Sequence, residues 1–293
     1  MTAIECVVDA KALLGEAPCW DAEEQCLWWL DIYGLTLHRY EPARRYAETF
    51  PAPAPAGSLA IREQGGLVVA MGSGFYFFDP GTRQFTLAAD VPNISANTRM
   101  NDGRTDRQGR FWAGTEFEAA GLPPRPVGAL YCLDSNLRCR QMLDGIVCSN
   151  GLAWSPDSRT MYFTDSGTPF VWAWNFDAAT GEMENRRVFI DLSSFNGVGD
   201  GATVDADGCY WLTMPFRGEV RRYDPDGRLM QTICLPTDTP TCCEFGGKDL
   251  STLYVTTATL RRSAQELQKQ PLAGGLFAID PGCKGLRSAL FKA

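Results

Sequence analysis

Six similar segments recur along the chain, and this repeat restricts the possible folds more than any other feature of the sequence. The segments open at six residues, spaced by 41, 44, 49, 50 and 41 positions, which are Glu16, Gly57, Asn101, Asn150, Asp200 and Thr241. The clearest copies are 16–21, 150–155 and 200–205, with the sequences EAPCWD, NGLAWS and DGATVD. Each copy has an apolar residue four positions after its opening residue and a turn-forming residue five positions after it.

Two further strand-like segments follow each opening segment. The second is apolar, as at 27–31 and 161–165, and the third runs through aromatic residues into Asp or Glu and a turn, as at 38–42 and 222–225. A period averaging about 45 residues, with apolar strands and Gly, Asp or Pro turns, is typical of propeller blades. A β-sandwich with accidental regularity is the alternative. The repeat predicts an all-β, six-bladed β-propeller of four-stranded antiparallel blades, with residues 1–293 forming one domain.

The opening residues also predict a ligand site. The innermost strand of each propeller blade lines a central channel, so residues that begin these strands converge on one axis. Glu16, Asn150 and Asp200 would supply two negative charges and a neutral carbonyl, which suit Ca²⁺, Mg²⁺ or Mn²⁺ and, less typically, Zn²⁺. We therefore expect one divalent metal ion as cofactor. For any one of these residues, a tight turn before glycine is the alternative reading.

The segment 98–104 (TRMNDGR) adds a second kind of polar group to the channel. Arg99 and Asn101 alternate as residues of a strand do, so their side chains are expected on the same side. An arginine there would orient the hydroxyl groups or an oxyanion of a ligand through forked hydrogen bonds. An ion pair between Arg99 and a carboxylate of a neighbouring blade is the alternative.

Composition excludes several classes of function. The formal net charge is −8 and the sequence pI is about 4.8, which argues against nucleic acid and anionic membranes as partners. No apolar run approaches the roughly 20 residues that span a bilayer, and no export signal is apparent, so a cytoplasmic protein is expected. The only histidine, His38, lies outside any polar cluster, which argues against Ser-His-Asp catalysis and multi-histidine zinc sites. A monomer or a small homo-oligomer is expected.

The remaining irregular features predict packing and loops. The eleven cysteines are odd in number and irregularly spaced, so Cys19, Cys26, Cys132, Cys209 and Cys234, which fall in apolar strand patterns, are predicted to be packing residues. The segment 119–126 (AAGLPPRP) predicts a long loop of the kind that covers a ligand at a propeller mouth. A capping box at Ser263 and Glu266 predicts the start of one short helix.

Five segments, in order along nearly the whole chain, resemble the regucalcin/gluconolactonase family of propeller lactonases. They are 15–21 (GEAPCWD), 99–115 (RMNDGRTDRQGRFWAGT), 149–157 (SNGLAWSPD), 200–205 (DGATVD) and 245–250 (FGGKDL). By this resemblance, Glu16, Asn150 and Asp200 match divalent-metal ligands, and Arg99 and Asn101 match residues that contact a sugar lactone. The family also has a substrate-facing glutamate after the Gly-Thr of the second segment. A strict count reaches Ala119, with Glu118 one place earlier as the candidate and Glu116 nearby.

The resemblance implies hydrolysis of an aldonolactone to its aldonic acid in carbohydrate catabolism. A cation would polarise the lactone carbonyl and acidify a water, and Asp200 is the candidate general base. The identity of the sugar stays open among gluconate-, arabinonate-, xylonate- and galactonate-type lactones and variants with an anionic group at position 6. Two alternatives are a calcium-dependent esterase or organophosphatase-like propeller and a metal-binding propeller without turnover.

Overall fold

The computed structural model describes residues 4–195 and 197–293. In these residues 24 strands form six four-stranded antiparallel sheets, which are the blades of a six-bladed β-propeller. The predicted fold class is therefore confirmed. In each blade the first strand contacts the first strands of both neighbouring blades, so these strands surround the central channel.

The first three blades each contain four strands that follow one another in sequence from the innermost to the outermost position. Blade 1 contains β2 (Gly15–Asp21), β3 (Cys26–Asp31), β4 (Thr36–Glu41) and β5 (Tyr46–Pro51). Blade 2 contains β6 (Ala56–Ile61), β7 (Leu67–Met71), β8 (Gly74–Asp79) and β9 (Gln84–Asp90). Blade 3 contains β10 (Thr98–Thr105), β11 (Phe111–Phe117), β12 (Gly128–Leu133) and β13 (Cys139–Ile146).

The other three blades repeat this order until the ring closes. Blade 4 contains β14 (Ser149–Trp154), β15 (Thr160–Asp165), β16 (Phe170–Phe176) and β17 (Met183–Asp191). Blade 5 contains β18 (Ala202–Val204), β19 (Tyr210–Met214), β20 (Glu219–Tyr223) and β21 (Leu229–Cys234). Blade 6 contains β22 (Pro240–Gly246), β23 (Thr252–Thr257) and β24 (Leu276–Ile279), and its outermost strand is β1 (Ile4–Val8).

Hydrogen bonds between the two ends of the chain close the ring. Strand β1 pairs antiparallel with β24, and Ile4 lies opposite Ile279. The first strand therefore completes the blade that the last three strands begin. The geometry of the channel consequently depends on both ends of the chain.

The turn-forming residue of each repeat shapes the turn after the innermost strand. Asp106 and Asp205, each five positions after an opening residue, accept two backbone N–H groups of their own turns at 2.9–3.0 Å. The second carboxylate oxygen of each accepts a hydrogen bond from an indole, Trp112 or Trp211, at 2.9 Å. Because aspartate stabilises turns in this way, the repeat seen in the sequence is a repeat of turn chemistry.

Apolar side chains fill the spaces between neighbouring blades. Phe78, Phe111 and Phe245 are fully buried in three different clusters, and each contributes roughly 1.5–3 kcal/mol by leaving water. His38 belongs to this packing, since its ring stacks on Trp29 with the ring centres 4.0 Å apart. Burial lowers the pKa of His38 to about 4, so the ring is neutral at pH 7. Any chemistry must therefore come from the polar groups of the channel rather than from the core.

The cysteines, the helix and the long loop follow most of the predictions. All eleven cysteines lie in the described residues and are free, and four of the five predicted packing residues are buried. Cys234 is exposed at the end of the outermost strand β21, so its predicted packing role is wrong. Helix α1 (Ala264–Lys269) begins at the predicted capping box of Ser263 and Glu266. Residues 119–126 form a loop between β11 and β12.

No helix within 4–195 and 197–293 is both long enough and apolar enough to cross a membrane.

Candidate functional site

The six opening residues lie at one end of the central channel. Five of them lie within the innermost strands β2, β6, β10, β14 and β22, and the sixth, Asp200, lies two residues before β18. The side chains of Glu16, Asn101 and Asn150 are 3–6% exposed. Asp200 is partly exposed, whereas these three residues are buried. The opening residues, which occupy equivalent positions in the six repeats, therefore lie near one another at this end of the channel.

Bulges interrupt the innermost strands next to these residues. The pairing with the second strand shifts between Glu16 and Cys19, between Met100 and Gly103, and between Asn150 and Ala153. An extra residue in one strand bends the backbone and changes the direction of the adjacent side chain. Ala17 and Gly151 reach positive φ values of 49° and 65° within two of these irregularities. Each of these three blades thus leaves regular strand geometry next to its polar opening residue.

Three carboxyl groups share a small and poorly solvated region of the channel. Burial raises the pKa of Glu16 well above its usual range, and the nearby charges of Asp200 and Asp102 raise it further. Burial likewise raises the pKa of Asp200, followed by the charges of Asp102 and Glu116. Such mutual destabilisation of carboxylates is relieved by a bound cation. In the ion-free state, the proximity of these carboxyl groups therefore lowers the free energy of unfolding at neutral pH.

Two asparagines extend this cluster across neighbouring blades. The side-chain nitrogen of Asn101 donates to Oδ1 of Asn150 at 3.2 Å and to the carbonyl of Ser149 at 2.9 Å. A carbonyl oxygen can accept two hydrogen bonds or ligand contacts, so Oδ1 of Asn150 has a second lone pair available. Asn150 thus meets the chemical requirement for a neutral oxygen ligand.

Arg99 forms an ion-pair cluster next to the acidic region. Its Nη2 contacts Glu116 at 2.5 Å, its Nε contacts Glu118 at 2.8 Å, and its Nη1 donates to Oδ1 of Asn101 at 2.6 Å. The other oxygen of Glu118 accepts a hydrogen bond from the Tyr33 hydroxyl at 2.9 Å. Glu116 in β11 and Glu118 just after it belong to the same blade as Arg99, so the alternative of an ion pair with a neighbouring blade is wrong. Arg99 is paired with carboxylates of its own blade and also contacts Asn101.

Gly57 and Thr241 act as spacers between the polar residues. A Cβ atom at Gly57 would lie 2.3 Å from the backbone carbonyl of Met100 and 2.5 Å from the backbone nitrogen of Asn101. Only glycine permits this close approach of β6 to β10. The hydroxyl of Thr241 is used within the protein, in hydrogen bonds to the carbonyl of Gly15 at 2.5 Å and to Thr256 at 2.9 Å. The other four opening residues, Glu16, Asn101, Asn150 and Asp200, thus form an uneven arc of polar side chains.

A second polar layer fills the channel beneath this arc. The guanidinium of Arg104 reaches from blade 3 to Glu244 in blade 6, and also donates to the carbonyl of Ala202 in blade 5 at 2.8 Å. The cavity around this ion pair is only about 50 Å³, and the segment 286–289 lines it. Access for a sugar-sized molecule is therefore expected from the mouth at which the opening residues lie.

One cluster of potential metal ligands lies elsewhere among the described residues. It consists of Asp21, Glu24 and Cys26, in the turn between β2 and β3 at the other end of the channel. Asp21 already accepts the backbone N–H groups of this turn, and Glu24 is exposed and forms an ion pair with Arg39 at 2.9 Å. These contacts explain the cluster as part of the fold.

Sequence reasoning missed two residues of the site and only partly identified a third. The missed Asp102 directly follows Asn101; it is buried, and its charge acts on both Glu16 and Asp200. Glu116, named from the sequence only as a residue near Glu118, lies opposite Arg99 in the pairing of β10 and β11. Tyr33 comes from a loop of blade 1, far away in sequence, and no local pattern could have found it.

Three comparisons with known proteins agree on one family. Residues 14–259 match the model of the SMP-30/Gluconolactonase/LRE-like region. The chain is 38% identical over 289 residues to a 6-deoxy-6-sulfogluconolactonase of Pseudomonas putida, covering 98% of both chains. It is 37% identical over 292 residues to regucalcin of Xenopus laevis, again covering 98% of both. A solved structure of a calcium-binding regucalcin from Agrobacterium tumefaciens superimposes with a TM-score of 0.93, at 28% identity, covering 100% of this chain and 98% of that one.

The family model covers residues 14–259, and the relatives and the solved structure align over nearly the full length of the chain. These ranges include every residue of the polar arc. The chain belongs to the SMP-30/gluconolactonase/LRE-like family.

Proposed function

We propose that the protein is a divalent-metal-dependent hydrolase that opens a sugar-acid lactone to the free aldonic acid in carbohydrate catabolism. The observation that carries the proposal is the convergence of Glu16, Asn150 and Asp200, which lie in or just before three innermost strands at one end of the channel. Burial and then the charge of Asp200 raise the pKa of Glu16, so these two carboxyl groups lie close enough to interact. The names of the relatives support the lactone as substrate. Residues 1–293 would act as one propeller domain in the cytoplasm, as a monomer or a small homo-oligomer.

The residues present fit a hard divalent cation. Glu16, Asn150 and Asp200 offer two carboxylates and one amide oxygen, the donor set that Ca²⁺, Mg²⁺ and Mn²⁺ prefer and that Zn²⁺ also accepts. Arg99 does not replace the cation, because two of its nitrogens are already paired with Glu116 and Glu118. These three oxygen donors would hold the ion. When bound, it would polarise the lactone carbonyl and make a nearby water more acidic.

Asp200 is the proposed general base. Residue Asp200 keeps more exposed surface than Glu16, and we assign its carboxylate to receive the proton of the attacking water, while both carboxylates would hold the ion. The oxygen of that water forms a bond to the lactone carbonyl carbon, and the ring C–O bond breaks. Asp200 then returns the proton to the ring oxygen, which becomes the hydroxyl of the aldonic acid. A cation would lower the pKa of Asp200 and limit its strength as a base.

The Arg99 cluster is proposed to recognise the sugar hydroxyls. Four of the five N–H groups of Arg99 are engaged within the described residues, by Met100, Asn101, Glu116 and Glu118. Glu116 and Glu118 are both more exposed than Arg99 and retain lone pairs that accept hydroxyl protons. Arg99 would therefore orient Glu118, the predicted contact, and Glu116 as well as contact the lactone itself.

Replacing Arg99 with lysine is expected to raise KM at least about 10-fold while the divalent-ion affinity stays nearly constant. Lysine keeps the charge that neutralises Glu116 and Glu118 but cannot form the forked contacts that orient them. KM would be measured with saturating ion, and the ion dissociation constant by calorimetry. Arg140, an exposed partner of Glu182, provides the matched control as Arg140→Lys. An unchanged KM and kcat would remove Arg99 from substrate recognition.

Acid release from a panel of aldonolactones tests the proposed function. The panel contains gluconate-, arabinonate-, xylonate- and galactonate-type lactones and one lactone with an anionic group at position 6, with aryl ester and organophosphate comparators. At least one lactone is expected to release acid in a pH-stat well above the spontaneous rate. Turnover of the comparators alone would favour the esterase alternative. Ion binding without any turnover would favour a metal-binding propeller.

A further inference from the structure

A directed chain of hydrogen bonds runs from Arg99 to a backbone carbonyl two blades away. Nη1 of Arg99 donates to Oδ1 of Asn101 at 2.6 Å, and Nδ2 of Asn101 donates to Oδ1 of Asn150 at 3.2 Å. Nδ2 of Asn150 then donates to Oγ of Ser166 at 2.8 Å, and the Ser166 hydroxyl donates to the carbonyl of Gly199 at 2.7 Å. Every hydrogen bond in this chain points in the same direction, with the donor on the Arg99 side and the acceptor on the Gly199 side.

The chemistry of the two ends of this hydrogen-bond chain fixes its direction. A guanidinium can only donate, and a backbone carbonyl can only accept. Ser166 has a single hydroxyl proton, which is committed to Gly199, so its oxygen must accept from the next group. It can therefore face only the NH₂ end of the Asn150 amide. The opposite end, the carbonyl oxygen, is consequently turned away from Ser166 and toward Asn101.

Reversing the Asn150 amide would break this chain at two places. Its oxygen would then face the Ser166 oxygen, whose proton is already used. Its nitrogen would face the nitrogen of Asn101, which already donates to the carbonyl of Ser149 at 2.9 Å. Two repulsive contacts thus oppose the orientation that would remove the amide oxygen from the site.

The position of Ser166 is itself fixed by the backbone. Its N–H donates to the carbonyl of Cys148 at 2.9 Å. The preceding carboxylate, that of Asp165, accepts the N–H groups of Val147 and Cys148 at 3.1 and 2.9 Å. These bonds tie the turn after β15 to the segment that enters β14. Ser166 is therefore held in place where its hydroxyl meets Asn150.

Ser166 also connects the two blades that supply neighbouring ion ligands. Gly199, the acceptor of its proton, directly precedes Asp200 and lies in a segment outside the regular strands. The backbone N–H of Asp200 donates to the carbonyl of Thr213 at 3.1 Å, which holds the other side of this segment. One hydroxyl thus touches Asn150 on one blade and the backbone beside Asp200 on the approach to the next.

We propose that Ser166 is a positioning residue of the cation site. Its hydroxyl selects the orientation of the Asn150 amide that presents oxygen to the ion, and it fixes the segment that carries Asp200. The proposal rests on the proposed metal-dependent function, and it assigns to Ser166 no contact with ion or substrate. Groups that orient metal ligands in this way commonly change metal affinity about 10- to 100-fold when removed.

Calorimetric titration of Ca²⁺ and Mn²⁺ into chelator-treated protein tests the role of Ser166. Ser166→Ala is expected to weaken the binding of both ions about 10- to 100-fold. Ser166→Thr keeps the hydroxyl and is expected to recover most of the affinity. The matched control is Ser251→Ala, because Ser251 donates to the exposed Asp249 in a turn at the other end of the propeller. Thermal melting of each ion-free variant shows what fraction is folded during the titration.

The possible outcomes separate this proposal from the proposed function. If the unmodified protein binds the ions and Ser166→Ala binds them equally well, Ser166 has no positioning role, while the metal site stands. If the unmodified protein binds neither ion, the metal site and the positioning role both fail. If Ser166→Thr is as weak as Ser166→Ala although both are folded, the hydroxyl is not the cause. A purely structural role would lower the melting temperature without changing the affinity of the folded molecules.

Discussion

Asp200→Asn is expected to lower kcat/KM for lactone hydrolysis by about 1000-fold. The substitution removes both the proton acceptor and one of the two negative charges proposed to hold the ion, while it keeps the size of the side chain. Loss of a general base alone commonly costs 10²- to 10⁴-fold in rate, which gives the scale of the effect at about 10³. Rates would be measured at saturating ion concentration, so that weaker ion binding does not account for the whole loss.

The matched control for this variant is Asp280→Asn. Asp280 is exposed at the end of β24, and its carboxylate accepts one backbone N–H, from Gly282 at 3.0 Å, which an asparagine oxygen can also accept. This control is expected to retain full activity and stability. An Asp200→Asn protein with more than about a tenth of normal kcat/KM would exclude Asp200 as the base.

Glu16→Gln is expected to abolish ion binding and hydrolysis together, and yet to stabilise the ion-free protein at neutral pH. Burial and the charges of Asp200 and Asp102 raise the pKa of Glu16 in the folded state. A raised folded-state pKa contributes stability below the unfolded value near 4.5, and this stability is lost as the pH rises through the folded value. The ion-free protein should therefore become less stable as the pH increases from about 4.5 toward neutrality, and glutamine should reduce this loss.

Thermal melting across this pH range measures the effect. In a chain of this size, a gain of 1 kcal/mol corresponds to a rise in melting temperature of roughly 2–4 °C. Glu63→Gln, at an exposed position in the turn after β6, provides the control and should leave the pH dependence unchanged. A Glu16→Gln protein that melts below the unmodified ion-free protein at pH 7–8 would contradict electrostatic strain among the three carboxyl groups.

The fold could be predicted because its determinants are local and repeated. The turn aspartates, Asp106 and Asp205 among them, recur five positions after the opening residues and organise equivalent turns in different blades. The closure of the ring was not predicted. β1 is short and pairs with β24, which lies more than 260 residues away, and no local pattern marks such a partner.

The candidate site was predictable only in part. Glu16, Asn150 and Asp200 could be grouped because equivalent positions in a propeller converge on its axis. The network around Arg99 depends on cross-strand register and on Tyr33 from another blade. The bulges beside Glu16, Met100 and Asn150 also escaped prediction, because tertiary packing of the innermost strands, more than local propensity, decides where register shifts.

The metal requirement is tested most directly by the rate of lactone hydrolysis in chelator-treated protein as a single divalent ion is restored. Bound ion would be measured in the same samples, using a lactone that the pH-stat panel identifies as a substrate. We expect the rate to fall to the spontaneous background when the ion is removed, and to return in proportion to the occupancy of one site per chain. Full activity in protein that retains no detectable metal would contradict a metal-dependent mechanism at Glu16, Asn150 and Asp200.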